Sequence, residues 1–163
     1  MGEHRLGAEE VRGLYDGHGP ALVAYASTFV TDRAAAEDVV HQVFLRLLSK
    51  EVVIPDMPVA YVYRAVRNAA LNARRSGWRD APLDPENCVF EHRGGNREAA
   101  LALQKALAEL PEEQREAVIM RMWSGLTLEE VAAVSGVPLN TAASRYRYAL
   151  EKLRGKLQPY RRK

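Results

Sequence analysis

The sequence has few of the residues that build several common kinds of site. Its 163 residues include a single cysteine, Cys88, which excludes an intrachain disulfide, a CxxC redox pair and a thiolate zinc site. No apolar run approaches the roughly 18 residues that a membrane span needs, and the acidic N-terminus does not resemble a signal peptide. We therefore expect a cytoplasmic protein without membrane insertion.

Patterns typical of catalytic and cofactor sites are missing as well. The histidines are scattered, with neither an HExxH motif nor an i, i+4 pair, and the glycines form neither a Walker loop nor a GxGxxG motif. The acidic pair Glu112 and Glu113 lies in a predicted first turn of a helix, where the helix dipole accounts for it. We therefore predict no catalytic residue, no metal ligand and no cofactor, and a protein that is not an enzyme.

Positive charge is concentrated in two short segments, although the whole chain carries a net charge of only +2. Residues 61–76 hold four arginines and no acid, and residues 141–163 hold eight basic residues against Glu151 alone. Two basic segments in an otherwise acidic chain indicate two contacts with a polyanion. Solvated helix faces and a basic tail would give the same pattern, so this alternative stays open.

Apolar residues of the first half recur at helical spacing, and no segment alternates as a strand would. We predict a short helix, a break at Pro20, and a second helix from there to Val30. Thr31 or Asp32 can cap the next helix. Its apolar stripe comprises Ala36, Val39, Val40, Val43, Phe44, Leu47 and Leu48. Residues 49–58 form a loop, after which a third helix ends at Ser76 and Gly77.

That third helix combines arginines with aromatic residues. One of its faces carries Tyr61, Arg64, Asn68, Asn72 and Arg75, flanked by Arg67 and Arg74. Stacking of an aromatic side chain on an unpaired base contributes about 1–3 kcal/mol, so Tyr61 and Tyr63 beside arginines suit opened or single-stranded DNA. Because tyrosine and arginine are also common on ordinary helical surfaces, this signal alone does not decide the function.

The second half is helical again and contains a helix-turn-helix pattern. The predicted helices are Ala99 to Leu110, Glu112 to Trp123, Thr127 to Ser135, and Pro138 to Leu157. Thr127 and Glu130 form a capping box, and Gly136 makes a tight turn before the last helix. The polar side of that helix carries Asn140, Ser144, Arg147 and Tyr148, with Thr141 and Arg145 on its flanks. It can lie in a major groove, and the alternative is a plain helical hairpin.

Between the two halves, residues 77–98 contain two prolines, a glycine pair and no periodicity, which indicates a flexible linker. We therefore predict an all-α protein of two small helical domains, residues 1–76 and 99–163. A linker of about 20 residues spans about 25 Å when relaxed, which is less than one turn of duplex DNA at about 34 Å. The free protein should therefore bind two DNA elements that lie several turns apart only poorly.

Long blocks of the chain carry a family resemblance. The first half contains LYDGHGPALVAYA, DRAAAEDVVHQVFLRLL and PVAYVYRAVRNAALNARRS, and the second contains LAELPEEQREAVIMRMWSGLTLEEVAAVSGVPLNTAASRYRYALEKLR. In this order the blocks resemble RNA polymerase sigma factors of the sigma-70 type, in the small extracytoplasmic-function (ECF) group. The resemblance implies a sigma region 2-like domain over residues 1–76 and a sigma region 4-like domain over residues 99–163. It also implies three partners, which are core RNA polymerase, promoter DNA and an anti-sigma factor.

Roles for individual residues follow from the same resemblance. The implied polymerase-binding residues are Asp38, His41, Gln42 and Leu45, while Phe44 is assigned to the core. The implied contacts to the minus-ten element are Tyr61, Tyr63, Arg64, Arg67, Asn68 and Arg75. The implied contacts to the minus-thirty-five element are Asn140, Thr141, Ser144, Arg145, Arg147 and Tyr148. Residues 49–58 match the family's segment that receives a flipped base.

Two functional hypotheses from different classes remain at this point. The first is an initiation factor that binds core polymerase, recognises two promoter elements and opens the DNA without catalysing a reaction. The second is a free-standing helix-turn-helix regulator with an N-terminal sensing domain. The first requires polymerase for activity, whereas the second binds duplex DNA tightly on its own.

Overall fold

The computed structural model describes residues 4–49, 53–54, 57–76 and 97–160. Within these ranges the chain forms helices α1 (Ala8–Ala26), α2 (Arg33–Ser49), α3 (Pro58–Arg75), α4 (Arg97–Glu109), α5 (Glu112–Met122), α6 (Leu128–Ser135) and α7 (Leu139–Leu157). A 3-10 turn, Gln158–Tyr160, follows α7. The predicted all-α class is confirmed. The predicted linker lies outside the described residues except for its last two positions, which belong to α4.

Helices α1, α2 and α3 form the N-terminal module, residues 4–76, in which α2 packs against both of the other helices. Its core is made of large apolar side chains that are almost completely buried, among them Leu22, Tyr25, Val40, Phe44, Val62 and Val66. The predicted stripe of α2 is confirmed except at Leu48, whose side chain is 55% exposed. Leu48 lies one turn beyond Leu45 on the outer side of α2, so it points away from the core.

Helix α1 continues through Pro20, so the predicted break at this residue is wrong. An interior proline costs roughly 3 kcal/mol, because it removes one hydrogen bond and its ring crowds the preceding turn. Pro20 and Asp16, whose carbonyl loses its amide partner, both lie on the exposed side, where water can solvate that carbonyl. On the other side Leu22 and Tyr25 are fully buried. Burial of two large side chains contributes about 1.5–3 kcal/mol each, which exceeds the cost of the proline.

The ends of α2 and α3 follow the sequence signals. The carboxylate of Asp32 accepts a hydrogen bond from the Ala34 amide at 3.0 Å, so Asp32 rather than Thr31 caps α2. Pro58 occupies the first turn of α3, where its missing amide hydrogen costs no helical hydrogen bond. Helix α3 ends as predicted, with the Ser76 amide donating to the carbonyl of Asn72.

Two short strands that the sequence did not predict join the start of the chain to the segment before α3. Strand β1 (His4–Arg5) pairs antiparallel with β2 (Val53–Ile54), with His4 opposite Ile54 and Arg5 opposite Val53. Two residues are too few to show an alternating pattern, which is why the sequence analysis assigned only a loop here. The pairing fixes part of the segment that leads into α3.

Helices α4 to α7 form the C-terminal module, residues 97–160, and α7 is its central element because it packs against α4, α5 and α6. The capping box of α6 is confirmed: the Thr127 hydroxyl accepts from the Glu130 amide at 3.1 Å, and the Glu130 carboxylate accepts from the Thr127 amide at 3.0 Å. Gly136 has a φ of +67°, the left-handed conformation that glycine adopts without strain, and it turns the chain from α6 into α7.

The two modules pack directly against each other. Helix α3 of the N-terminal module lies against α6, α1 also contacts α5, and the buried apolar residues form one cluster that spans both modules. The sequence predicts two domains on a flexible linker and gives no sign of this contact. Within the described ranges, no helix is long and apolar enough to cross a membrane.

Candidate functional site

One exposed face of α2 carries all four residues predicted to bind polymerase. Asp38, His41, Gln42 and Leu45 are spaced by three or four residues, so they share one side of the helix, and all four are exposed. We call these four residues the docking face. Leu45 is 64% exposed, which is unusual for a large apolar side chain on a helix that is otherwise packed. Phe44, as expected, is buried in the core.

Tyr15 of α1 borders the docking face, and the sequence analysis did not single it out. Its hydroxyl lies 3.0 Å from Nε2 of His41, and its ring packs edge-on against Phe44 with centroids 5.1 Å apart. Tyr15 and Leu48 are both exposed, so together with Leu45 they add an apolar margin to the docking face. The sequence held a signal for this apolar margin, because Leu45 and Leu48 follow Asp38 and His41 at helical spacing and therefore extend the same side of α2.

A polar groove of about 670 Å³ runs between α2 and α3. Asp38 and Gln42 of the docking face line it on one side, and Tyr61, Arg64 and Asn68 line it on the other. The fold therefore places two predicted polymerase-binding residues next to three predicted minus-ten contacts. A groove with amide, phenol and guanidinium groups on its walls offers hydrogen bonds and a stacking surface to an extended strand of unpaired nucleotides.

A second face of α3 points at the C-terminal module instead of at the groove. Nε of Arg67 donates to the Glu116 carboxylate at 2.6 Å, and the Tyr25 hydroxyl donates to the same oxygen at 2.5 Å. We call Tyr25, Arg67 and Glu116 the bridging cluster. Glu116 belongs to α5 and is only 1% exposed, so its charge depends on these two donors. Arg74 adds a two-pronged ion pair with Glu112, at 2.6 and 3.2 Å.

Burial and charge shift the ionisation of the groups at this contact between the modules. Burial first, and the neighbouring Glu116 carboxylate second, raise the pKa of the Tyr25 phenol well above its usual value. Partial burial alone would lower the pKa of Arg67, but the Glu116 carboxylate outweighs this effect and raises it. Tyr63, a predicted minus-ten contact, is fully buried, and burial raises its pKa to about 12. Tyr25 therefore stays a donor and Arg67 a cation at neutral pH.

The predicted DNA-reading side of α7 lies open. Asn140, Arg147 and Tyr148 are exposed, and Ser144 with the flanking Thr141 and Arg145 is partly exposed. The guanidinium carbon of Arg147 lies 5.2 Å from the ring centroid of Tyr148, which orients both side chains outward together. Within the described part of the chain, no salt bridge engages Arg145 or Arg147, so their charges are available to an outside anion.

The two modules match the two parts of one protein family. Residues 14–80 match the family model of sigma-70 region 2, and residues 100–153 match that of sigma-70 region 4. The chain belongs to the sigma-70 family. The N-terminal module is region 2, and the C-terminal module, with its helix-turn-helix of α6 and α7, is region 4.

Curated relatives narrow the family to its ECF group. The chain is 32% identical to the ECF RNA polymerase sigma factor SigL of Mycobacterium tuberculosis, across 91% of this chain and 89% of the relative. It is 30% identical to the RNA polymerase sigma-E factor of Streptomyces coelicolor, across 96% of this chain and 89% of that one. Among solved structures, the fold is similar to that of the sigma factor RpoE of Bartonella quintana, crystallised with its anti-sigma factor NepR. That match has a TM-score of 0.73 at 22% identity and covers 93% of this chain and 98% of the other.

The region 2 residues predicted from the sequence fall on two different surfaces. Tyr61, Arg64 and Asn68 line the groove, and Arg64 also donates to the Ala133 carbonyl of region 4. Arg67 faces region 4, whereas Tyr63 is buried against Tyr25 and His18 of α1. Arg75 is exposed at the end of α3. The sequence analysis missed Tyr25 and Glu116 altogether and explained Glu112 by the helix dipole alone. A signal for Glu116 was present, since it is a charged residue directly before the apolar run that forms the buried side of α5.

Proposed function

We propose that this sigma-70 family protein is a dissociable initiation factor. It binds core RNA polymerase through the docking face, engages the minus-ten element with region 2 and the minus-thirty-five element with region 4, and opens the DNA without catalysing a reaction. The observation that carries this proposal is the groove between α2 and α3, which sets docking-face residues beside residues that suit unpaired DNA.

Contact with polymerase is supported by the composition of the docking face. Its exposed carboxylate, amide, imidazole and leucine are the mixture expected of a protein interface with a small apolar centre and a polar rim. Tyr15 and Leu48 enlarge the apolar centre. A surface of this kind, on the helix that also forms one wall of the groove, would hold the groove at a fixed place on the polymerase.

Promoter contact is supported by the chemistry of two helices. Tyr61, Arg64 and Asn68 offer stacking and hydrogen bonds to separated bases, and Arg75 offers charge for a phosphate. On α7, Asn140, Ser144 and Arg147 offer hydrogen bonds to base edges in a major groove, with Tyr148 beside them. Each contact alone is weak, and mounting both on one polymerase would let the two affinities reinforce each other through effective concentration.

The partners of this proposal are therefore core RNA polymerase and promoter DNA, and the place of action is the cytoplasm, where both are found. An anti-sigma factor is a further partner, supported by the Bartonella quintana relative, which was crystallised with NepR. Such a factor would cover the docking face or the groove until a stimulus releases the protein.

The test is transcription in vitro with bacterial core polymerase over a library of randomised promoters. We expect specific transcripts only when the purified protein and the core enzyme are both present. Asp38→Ala and Gln42→Ala should each reduce the transcript yield by about tenfold, the effect of losing a hot-spot contact of about 1.4 kcal/mol. Glu37→Ala is the matched control, because it removes the neighbouring carboxylate, whose exposed partner is Arg33, and leaves the docking face intact.

The opposite result would support the free-standing regulator instead. In that case the purified protein alone would bind one duplex sequence tightly, and the start sites of transcription would be the same with and without it. Asp38→Ala would then change neither property.

A further inference from the structure

The last long helix begins with an exposed apolar side chain. Leu139 is the first residue of α7, directly after Pro138, and it is 44% exposed. Among the residues that the structure describes, Leu139 belongs neither to the buried cluster nor to the partly buried apolar residues that pack against it. Single exposed leucines are common on soluble proteins, so exposure alone does not indicate a function. The role of Leu139 therefore has to be inferred from its neighbours on α7.

Leu139 lies in one row with two other residues of α7. Ala143 and Arg147 follow it at intervals of four, so the three lie one above the other along the helix. Ala143 is partly exposed and Arg147 is exposed. We call Leu139 and Ala143 the apolar row. Asn140 and Ser144 lie beside it at the same spacing, so the start of α7 offers apolar carbon and hydrogen-bonding groups side by side.

The charge around the apolar row favours a nucleic acid as its partner. Residues 137–150 include Arg145 and Arg147 and no acidic side chain. A basic surface without acids attracts a polyanion. In the major groove of duplex DNA, the apolar group that a side chain can contact is the methyl group of thymine. A leucine on a basic surface of this kind therefore suits thymine.

The apolar row also lies at the end of α7 that reaches base edges in a helix-turn-helix. The second helix of this motif enters the major groove with its N-terminal residues against the bases. Leu139, Asn140 and Ala143 are all among the first five residues of α7. Leu139 and Ala143 are separated by about 6 Å along the helix axis, which is roughly the height of two stacked base pairs. The apolar row can therefore cover one or two neighbouring base pairs.

We propose that the apolar row of α7 reads thymine, with Leu139 in contact with a thymine methyl group in the minus-thirty-five element. Ala143 adds contact at the same or the neighbouring base pair. The inference rests on the proposed function, because it specifies the base that one part of the proposed reading surface prefers. The sequence analysis did not assign Leu139 or Ala143 to this surface. Asn140, Ser144 and Arg147 recognise hydrogen-bonding groups, whereas the apolar row recognises a methyl group.

The first experiment removes the methyl group and nothing else. Deoxyuridine keeps the pairing and the hydrogen-bonding groups of thymidine, so exchanging one for the other tests the apolar contact. The full chain, bound to core polymerase, is given the minus-thirty-five element selected from the promoter library, with each thymine replaced in turn. We expect one exchange, or two at neighbouring base pairs, to weaken binding about fourfold, the fold-change for one buried methyl group. The other exchanges should have no effect.

The second experiment removes the partner of the methyl group on the protein. Leu139→Ala should weaken binding to the thymine-containing element by a similar factor, and the sensitive exchange should then have no further effect. This non-additivity distinguishes a direct contact from a change in DNA shape. Leu101→Ala is the matched control, because it shortens a leucine of region 4 that is 43% exposed on α4. It should leave both the affinity and the response to uracil unchanged.

Three outcomes would overturn the inference while the proposed function stands. The unchanged chain would bind every uracil-containing element as tightly as the original, or the selected element would consist of G·C pairs alone, or Leu139→Ala would remain as sensitive to uracil as the unchanged chain. The first experiment needs no variant, so it decides the question even if Leu139→Ala loses its fold.

Failure of the proposed function has a different signature. In that case no transcript depends on the protein, and the same exchanges are made in the duplex sequence that the purified chain selects by itself. A fourfold loss there, abolished by Leu139→Ala, would support the apolar row without the proposed function. A chain that selects no duplex sequence would overturn both.

Discussion

Helices α3 and α7 carry similar chemistry in very different surroundings. Both present arginines and tyrosines on one side, and both lie in the basic segments of the chain. On α3 the arginines at 64, 67 and 74 contact region 4, while on α7 the exposed Arg147 lies over the ring of the neighbouring Tyr148. This difference shows that a count of basic residues predicts the charge of a surface, but not whether its side chains are accessible to another molecule.

The largest expected effect comes from replacing a paired arginine of α3. Arg67→Met leaves the buried Glu116 carboxylate without its cationic partner, which should lower the free energy of unfolding in urea by about 3 kcal/mol. Arg147→Met is the corresponding change on α7 and should stay within about 0.5 kcal/mol, because that side chain is exposed. Equal losses in the two variants would contradict the difference between the helices.

The order reverses when DNA recognition is measured. Arg147→Ala should weaken binding of polymerase-bound protein to the minus-thirty-five element selected from the promoter library by about 1–3 kcal/mol, the contribution of a two-pronged contact to a base edge. Arg145→Ala should weaken binding to all sequences alike and reduce the slope of affinity against salt by about 1, as expected of a phosphate contact. An Arg147→Ala protein with unchanged affinity and sequence preference would remove that residue from the interface.

The stability of the protein at alkaline pH should depend on the buried tyrosine of α3 and not on the exposed tyrosine of α7. Folding raises the pKa of Tyr63 to about 12, so its contribution to stability is complete below pH 10 and disappears as the pH rises through 12. One unit of pKa shift corresponds to about 1.4 kcal/mol, so the free energy of unfolding should fall by up to about 3 kcal/mol across this window through Tyr63 alone. Tyr63→Phe should remove that part of the slope, whereas Tyr148→Phe, on the exposed side of α7, should leave it unchanged. Unfolding measured at several pH values for the three proteins decides between these outcomes.

The smallest effect concerns the caps that begin a helix in each region. Thr127→Ala removes the hydroxyl of the capping box of α6 and should lower the free energy of unfolding by about 1 kcal/mol. Thr31→Ala should change it little, because Asp32 caps α2 instead. Chemical unfolding of both variants tests the pair, and a larger loss for Thr31→Ala would contradict the assignment of Asp32.

Sequence reasoning succeeded wherever structure depends on neighbours along the chain. The apolar stripe of α2, the capping box at Thr127 and the turn at Gly136 are local patterns with local causes, and each is confirmed. The residues of the docking face were named from the family resemblance, and the structure shows all four exposed. Their roles stay predictions.

What the sequence did not reveal depends on residues far apart in the chain. Tyr25 and Glu116 are separated by 91 positions, and no periodicity connects two residues that meet only after folding. Pro20 was misjudged for a related reason, since its cost is offset by burial against other helices. The same long-range contact engages Arg67 with region 4, whereas Tyr61, within two turns on the same helix, lines the groove.

The strand pair β1–β2 has a practical consequence for anyone who purifies this protein. His4 and Arg5 hold Val53 and Ile54, only a few positions before α3 begins at Pro58. An affinity tag fused ahead of His4 would adjoin the strand that pairs with the segment before the proposed DNA-opening helix, although His4 and Pro58 are more than 50 positions apart along the chain. Tags are better attached beyond Tyr160, so that assays of promoter opening are not affected by the tag.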